Sequence, residues 1–86
     1  MVNILYTEKF TAQFERLPKK IQDEAYKKIE LFIQNPKHAS LKSHKLHGPL
    51  SGRFAFSVNH KTRVVFEYGE GGIIAFLKIG DHDIYR

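Results

Sequence analysis

Apolar positions along the chain change period twice, and each change marks a boundary between elements. Val2-Asn-Ile-Leu-Tyr6 opens with strand-forming residues and predicts an N-terminal strand. From Thr7 the period lengthens. Phe10, Phe14 and Leu17 recur at i, i+4 and i+7, the spacing of one apolar stripe on a short helix. Thr7 suits its N-cap, and Glu8 falls in the first turn, where the helix favours negative charge. Leu17-Pro18 interrupts this helix, because proline pushes the residue before it out of helical geometry. Pro18 in turn suits the first turn of a second helix. In that helix Ile21, Ala25, Ile29, Phe32 and Ile33 share one face, with Lys19, Gln22, Asp23, Lys27 and Glu30 on the other, until Asn35-Pro36 ends it. So tight a corner predicts an antiparallel helical hairpin whose stripes cover one face of a sheet.

Residues 37–52 show no period and read as an ordered connecting loop. Then the period becomes two. Phe54, Phe56 and Val58 alternate with Arg53, Ala55 and Ser57; Asn59-His-Lys-Thr62 turns the chain; Arg63 to Tyr68 runs back; Gly69-Glu-Gly-Gly72 turns it again into Ile73–Ile79. Two tight turns in succession predict a three-stranded antiparallel meander. The expected fold is α+β in two layers, ordered β-α-α-β-β-β, with the helices on one sheet face and a single domain over residues 1–86. If Phe54, Phe56, Val58, Val64, Phe66 and Tyr68 face the helices, then Arg53, Ala55, Ser57, Arg63, Val65 and Glu67 face away from them. Lys78 joins one face of the third meander strand, and His82 follows that strand. The expectation is a basic groove on the uncovered face with a histidine at its rim.

Charge makes that groove more specific. Fourteen Lys and Arg against nine Asp and Glu give +5, yet no acid lies between Glu30 and Glu67. Six of the bases fall in that window: Lys37, Lys42, Lys45, Arg53, Lys61 and Arg63. The eight elsewhere face nine acids, a balance of −1. A localised basic surface fits a polyanion or an acidic partner, and fits equally a solubilising Lys-rich loop. With 86 residues the core is small, and with no cysteine there is no disulfide, thiolate metal site or thiol catalysis, so a reducing cytoplasm is the expected compartment. No apolar run approaches the roughly 20 residues of a membrane span, and no signal peptide opens the chain. His44-x-x-His47 has metal-pair spacing but no third ligand near it.

The order of elements resembles the RelE/ParE toxin superfamily, in particular the RelE-type mRNA interferases of type II toxin–antitoxin modules. The likeness covers essentially the whole chain. It rests on Leu46-x-Gly48-x-Leu50-x-Gly52 leading into Phe54–Val58, on Asn59-His-Lys-Thr-Arg63-Val-Val-Phe66, and on the ending Ile79-Gly-Asp-His-Asp-Ile-Tyr-Arg86. The resemblance implies a cytoplasmic endoribonuclease that needs no metal or cofactor. It cleaves mRNA, in association with the ribosome, by attack of a ribose 2′-OH on its own 3′-phosphate. Such chemistry needs cations on the phosphate oxygens and proton transfer at the attacking and leaving oxygens.

Arg63 matches the family's arginine at the start of the second meander strand and is expected to stabilise the transition state. Its structural alternative is an ion pair with Glu67 or a C-terminal acid. His82 matches a His or Arg position of the family, as general acid or general base, or else is a structural histidine held by Asp81 or Asp83. Tyr85 matches a C-terminal aromatic that stacks on a base or orients the phosphate; core packing is the alternative. Arg53 matches a basic position and, with Lys45, Lys61 and Lys78, is expected to contact RNA phosphate. Ala55 and Ser57 depart from relatives that place further basic groups there. The resemblance also implies an acidic antitoxin that binds the toxin as a monomer. The ParE-like branch, which shares the fold and inhibits DNA gyrase, and an inactive member that binds only antitoxin or RNA are the alternatives.

Overall fold

The computed structural model describes residues 3–85, and of His82 and Asp83 the backbone only. Strand β1 (Asn3–Tyr6) leads into helices α1 (Glu8–Glu15) and α2 (Lys19–Gln34). A two-residue strand β2 (His44–Lys45) follows, then β3 (Phe54–Ser57), β4 (Arg63–Tyr68) and β5 (Ile73–Gly80). The strands form one sheet in the order β1-β5-β4-β3-β2. The expected meander is its antiparallel centre, and the α+β layering with both helices before it stands as the sequence predicts.

Two features of the sheet differ from expectation. It has five strands, because β1 joins β5 in parallel and His44–Lys45 pairs with Phe54–Ala55 inside the segment expected to be loop. That segment also holds short 3₁₀ turns at Ala39–Leu41 and Gly48–Leu50. Gly48 (φ +67°) and Gly52 (φ +93°) have backbone angles that side chains rarely tolerate, which explains why glycines punctuate the approach to β3.

The second difference is a bulge. Phe66 pairs with Phe76 while its neighbour Val65 pairs with Lys78, so Leu77 is the extra residue. It switches the phase of β5. Ile74, Phe76 and then Ile79 enter the core, while Lys78 emerges on the opposite face beside Val65.

Helix α1 closes the edge of β5 where β1 runs out. The Thr7 hydroxyl donates to Phe76 O (2.8 Å) and accepts from Phe10 N (3.3 Å), capping the helix while fastening it to the sheet. Gln13 Oε1 accepts from Ile79 N at 2.9 Å. Gln22 of α2 donates to Phe14 O at 3.0 Å, satisfying a carbonyl at the end of α1. Phe14 meets the Tyr26 ring at 5.1 Å, consistent with the helical hairpin. The core lies between helices and sheet around Phe32, whose ring stacks on Phe56 (4.8 Å) and meets Phe66 and Phe76 edge-on (5.0 and 5.6 Å).

Candidate functional site

The sheet face away from the helices is organised in rows by strand register. Ser57, Arg63 and Gly80 share one row; His44, Ala55, Val65 and Lys78 share the next; Glu67 and Ala75 share a third, with Arg53 just ahead of β3. The floor is short and apolar. Ala55 and Val65 are buried, so the face is not the open groove expected from the alternation. One end of it meets the C-terminal 3₁₀ turn, His82–Tyr85, whose Ile84 is buried against Gly80 and whose Ile84 O accepts from Lys78 Nζ at 3.3 Å.

Arg63 is positioned by the turn before it. Asn59 Oδ1 accepts from Lys61 N (2.9 Å) and Thr62 N (2.8 Å), the local bonding that makes asparagine a turn residue. Its Nδ2 donates to Glu24 Oε1 at 3.0 Å, tying the turn to α2. Arg63 Nη1 then donates to Asn59 O (2.6 Å) and Thr62 O (3.3 Å). The guanidinium is thus held at one nitrogen by backbone carbonyls. The pairing of Arg63 with Glu67, one of the alternatives above, is not what forms: Glu67 lies 3.9 Å from Arg53 Nε instead, a half-exposed contact worth little in water.

Tyr85 is partly buried, and burial pushes its phenol up while the nearby Arg63 guanidinium opposes the shift. The two residues are therefore in electrostatic reach, and the phenol stays protonated as a hydrogen-bond donor. Burial pushes the Lys78 ammonium down, and the like charges of Lys9 and Arg53 push it further. Lys9, Arg53 and Lys78 are thus within electrostatic reach of one another, with Glu67 beside Arg53.

The remaining predicted residues separate. Lys45 pairs with Phe54, so its register puts it on the helix-covered side, away from Arg63 and Lys78. Lys61 is exposed in the turn and borders a cleft with Pro18 and Lys20 at the helical corner. The side chain of His82 lies outside the described residues, as does that of Asp83, its suggested partner. Three residues not expected at the site do come to Arg63: Lys28, Lys42 and His60 line a cleft of about 260 Å³ with it. Lys28 sits among the polar residues of α2, and nothing in its spacing distinguishes it from the solvated lysines beside it. Among the described residues no three His, Asp or Glu side chains approach as metal ligands, so His44-x-x-His47 gains no third partner there. No helix among them is long and apolar enough to cross a membrane.

A two-helix layer before a sheet ordered in this way is the fold of several solved toxins of the RelE/ParE kind. YafQ from E. coli strain BL21(DE3) superposes with a TM-score of 0.80 at 18% identity over 99% of this chain and 98% of its own. A YoeB/ParE toxin from Agrobacterium tumefaciens gives 0.77 at 16% identity, covering 94% of this chain and 99% of its own. The RelBE2 toxin–antitoxin complex from Mycobacterium tuberculosis gives 0.77 at 13% identity, with 94% and 98% covered. At such identities the likeness is one of fold. By sequence, no protein-family model and no curated protein matches the chain.

Proposed function

We propose that this protein is the toxin of a type II toxin–antitoxin module and an endoribonuclease that cleaves mRNA in association with the ribosome. The observation that carries the reading is Arg63, fixed at the head of β4 by Asn59 O and Thr62 O and within electrostatic reach of the protonated Tyr85. Arg63 faces away from the helices by register, and that is the face to which this reading assigns the phosphodiester. In the proposed reaction the ribose 2′-oxygen attacks the adjacent phosphorus, the 5′-oxygen of the next nucleotide leaves, and a 2′,3′-cyclic phosphate remains. Arg63 neutralises the charge that builds on the non-bridging oxygens, the role for which a planar, permanently charged donor is suited. Lys78 and Arg53 hold the flanking phosphates, and Tyr85 orients the reacting one. His82 moves a proton as acid or base. Among the described residues, His60, which shares the Arg63 cleft, and His44, in the adjoining row of the sheet, are further candidates for that task.

The cationic face also suits an acidic antitoxin segment laid across it, and two solved relatives, RelBE2 and the Staphylococcus aureus YoeB–YefM pair, are toxin–antitoxin complexes. The test is mRNA cleavage in a translating extract, mapped by primer extension, with wild type beside His82→Ala and Arg63→Ala. Cleavage by the wild type and its loss in both variants is the expected result. Intact mRNA together with inhibited DNA gyrase would replace this reading with the ParE-like one.

A further inference from the structure

A second cationic cleft, of about 390 Å³, lies on the helix side of the sheet beyond the end of α2. Helix α2 stops at Gln34, so the Tyr68 ring, although on the core face by register, is left exposed there beside the half-buried Phe54 ring. Tyr68 is 58% exposed, and the two rings meet edge-on at 5.1 Å. Lys37, Lys42 and Lys45 line the same cleft, and no carboxylate does. An exposed aromatic face ringed by lysines is the combination that binds single-stranded nucleic acid, with rings taking bases and ammonium groups taking the backbone.

The lysines are held in place by local structure. Lys42 has φ +51° and ψ +41°, a left-handed conformation that non-glycine residues adopt at a cost, and its carbonyl is hydrogen-bonded to His44 Nδ1 at 3.1 Å. Lys42 also lines the Arg63 cleft, so the two clefts adjoin through one residue. Lys45 was drawn off the Arg63 face by its pairing with Phe54, and this cleft is where it goes.

We propose that this cleft is a binding subsite for single-stranded RNA, separate from the cleavage site, that stacks a base on Tyr68 and Phe54 and holds the adjoining phosphates with Lys37, Lys42 and Lys45. The choice of RNA over DNA rests on the function proposed above; the nucleic-acid chemistry of the cleft does not. An acidic peptide would satisfy the lysines but would leave the exposed ring faces without a planar partner, which is why nucleic acid is favoured.

The experiment is fluorescence anisotropy with a labelled hexauridylate and the full chain carrying Arg63→Ala, so that cleavage does not intervene. In that background Tyr68→Ala should weaken binding by about 5- to 100-fold, the equivalent of losing one stacked base. Tyr68→Phe should bind like the parent. The triple change Lys37→Ala, Lys42→Ala and Lys45→Ala should lower the slope of log affinity against log salt by about 2, as for three single-strand phosphates. Parent-like binding by both Tyr68→Ala and the triple variant, each with an unchanged melting temperature, would overturn the proposal. So would tighter binding of the matching deoxyribonucleotide, or a deca-glutamate peptide whose binding needs Tyr68 when that of the RNA does not. Because binding is read without cleavage, absence of mRNA cleavage by the wild type with Tyr68-dependent binding intact overturns the proposed function alone, and Arg63-dependent cleavage with binding that needs neither Tyr68 nor the three lysines overturns the subsite alone.

Discussion

The two faces of the sheet are built from opposite materials. On the helix side, Phe32, Phe56, Phe66 and Phe76 interlock at ring separations of 4.8–6.4 Å, and these four side chains are almost wholly buried. On the other side the floor is only Ala55 and Val65, and cations that disfavour one another stand around it. The first face supplies apolar area, on which folding depends. The second carries the charged groups of Arg63, Glu67 and Lys78. Most of the stability and the proposed cleavage chemistry would therefore lie on different faces, and substitutions should separate them.

The largest expected effect is on the aromatic face. Phe32→Ala should cost about 3–5 kcal/mol, much of the stability of a small domain, measured by thermal or urea unfolding. A tolerated Phe32→Ala would break the comparison, since the core would then lie elsewhere. On the opposite face Arg63→Ala should lower the mRNA cleavage rate by about 100- to 1000-fold. Its cost in unfolding free energy should not exceed about 1.5 kcal/mol, for the bonds to Asn59 O and Thr62 O.

Gly80→Ala probes the joint between the sheet and the C-terminal turn. A Cβ there would stand 2.6 Å from Ile84 Cγ2, so Ile84 must move and carry Tyr85 with it. Cleavage should fall several-fold with a loss of stability of about 1 kcal/mol, and adding Ile84→Ala should recover part of the cleavage by removing the obstructing methyl.

The smallest effect is expected at Lys78. Its ammonium is pushed down despite its bond to Ile84 O, so the fold as a whole disfavours the charge. That penalty is fully present below the folded value and gone above the ordinary lysine value of about 10.4. Lys78→Met should therefore raise the melting temperature at pH 7, and the gain should shrink as the pH approaches about 11. A gain independent of pH would mean that packing, not charge, explains it.

Much of this division was legible in the residues themselves. The stripes of α1 and α2 and the alternation of β3 and β4 are local patterns, and they placed Arg53 and Arg63 on the face away from the helices. What escaped the sequence was non-local or too short to have a period. The parallel pairing of β1 with β5 joins residues about seventy positions apart and leaves no mark on either segment. Strand β2 has two residues, too few to alternate, and its register reassigns Lys45. In β5 the run Ile-Ile-Ala-Phe-Leu-Lys-Ile is apolar at almost every position, so the bulge at Leu77 that turns Lys78 outward is hidden in it. Lys28 and His60 come to Arg63 where Asn59 docks on Glu24, a contact across thirty-five positions, and Lys42 reaches the same cleft from the segment after α2.

The place of β5 in the sheet has a consequence for synthesis. It is the last strand to be translated, yet it lies between β1 and β4, and the capping hydroxyl of Thr7 ends on its Phe76 carbonyl. Until it leaves the ribosome, β1 has no strand to join, α1 no sheet to fasten to, and the Phe32 ring lacks one wall of its cage. Such late, long-range closure makes folding slow and delays it until β5 has been made. A nascent copy cannot assemble the row that carries Arg63 beside Gly80 until β5 has emerged from the ribosome.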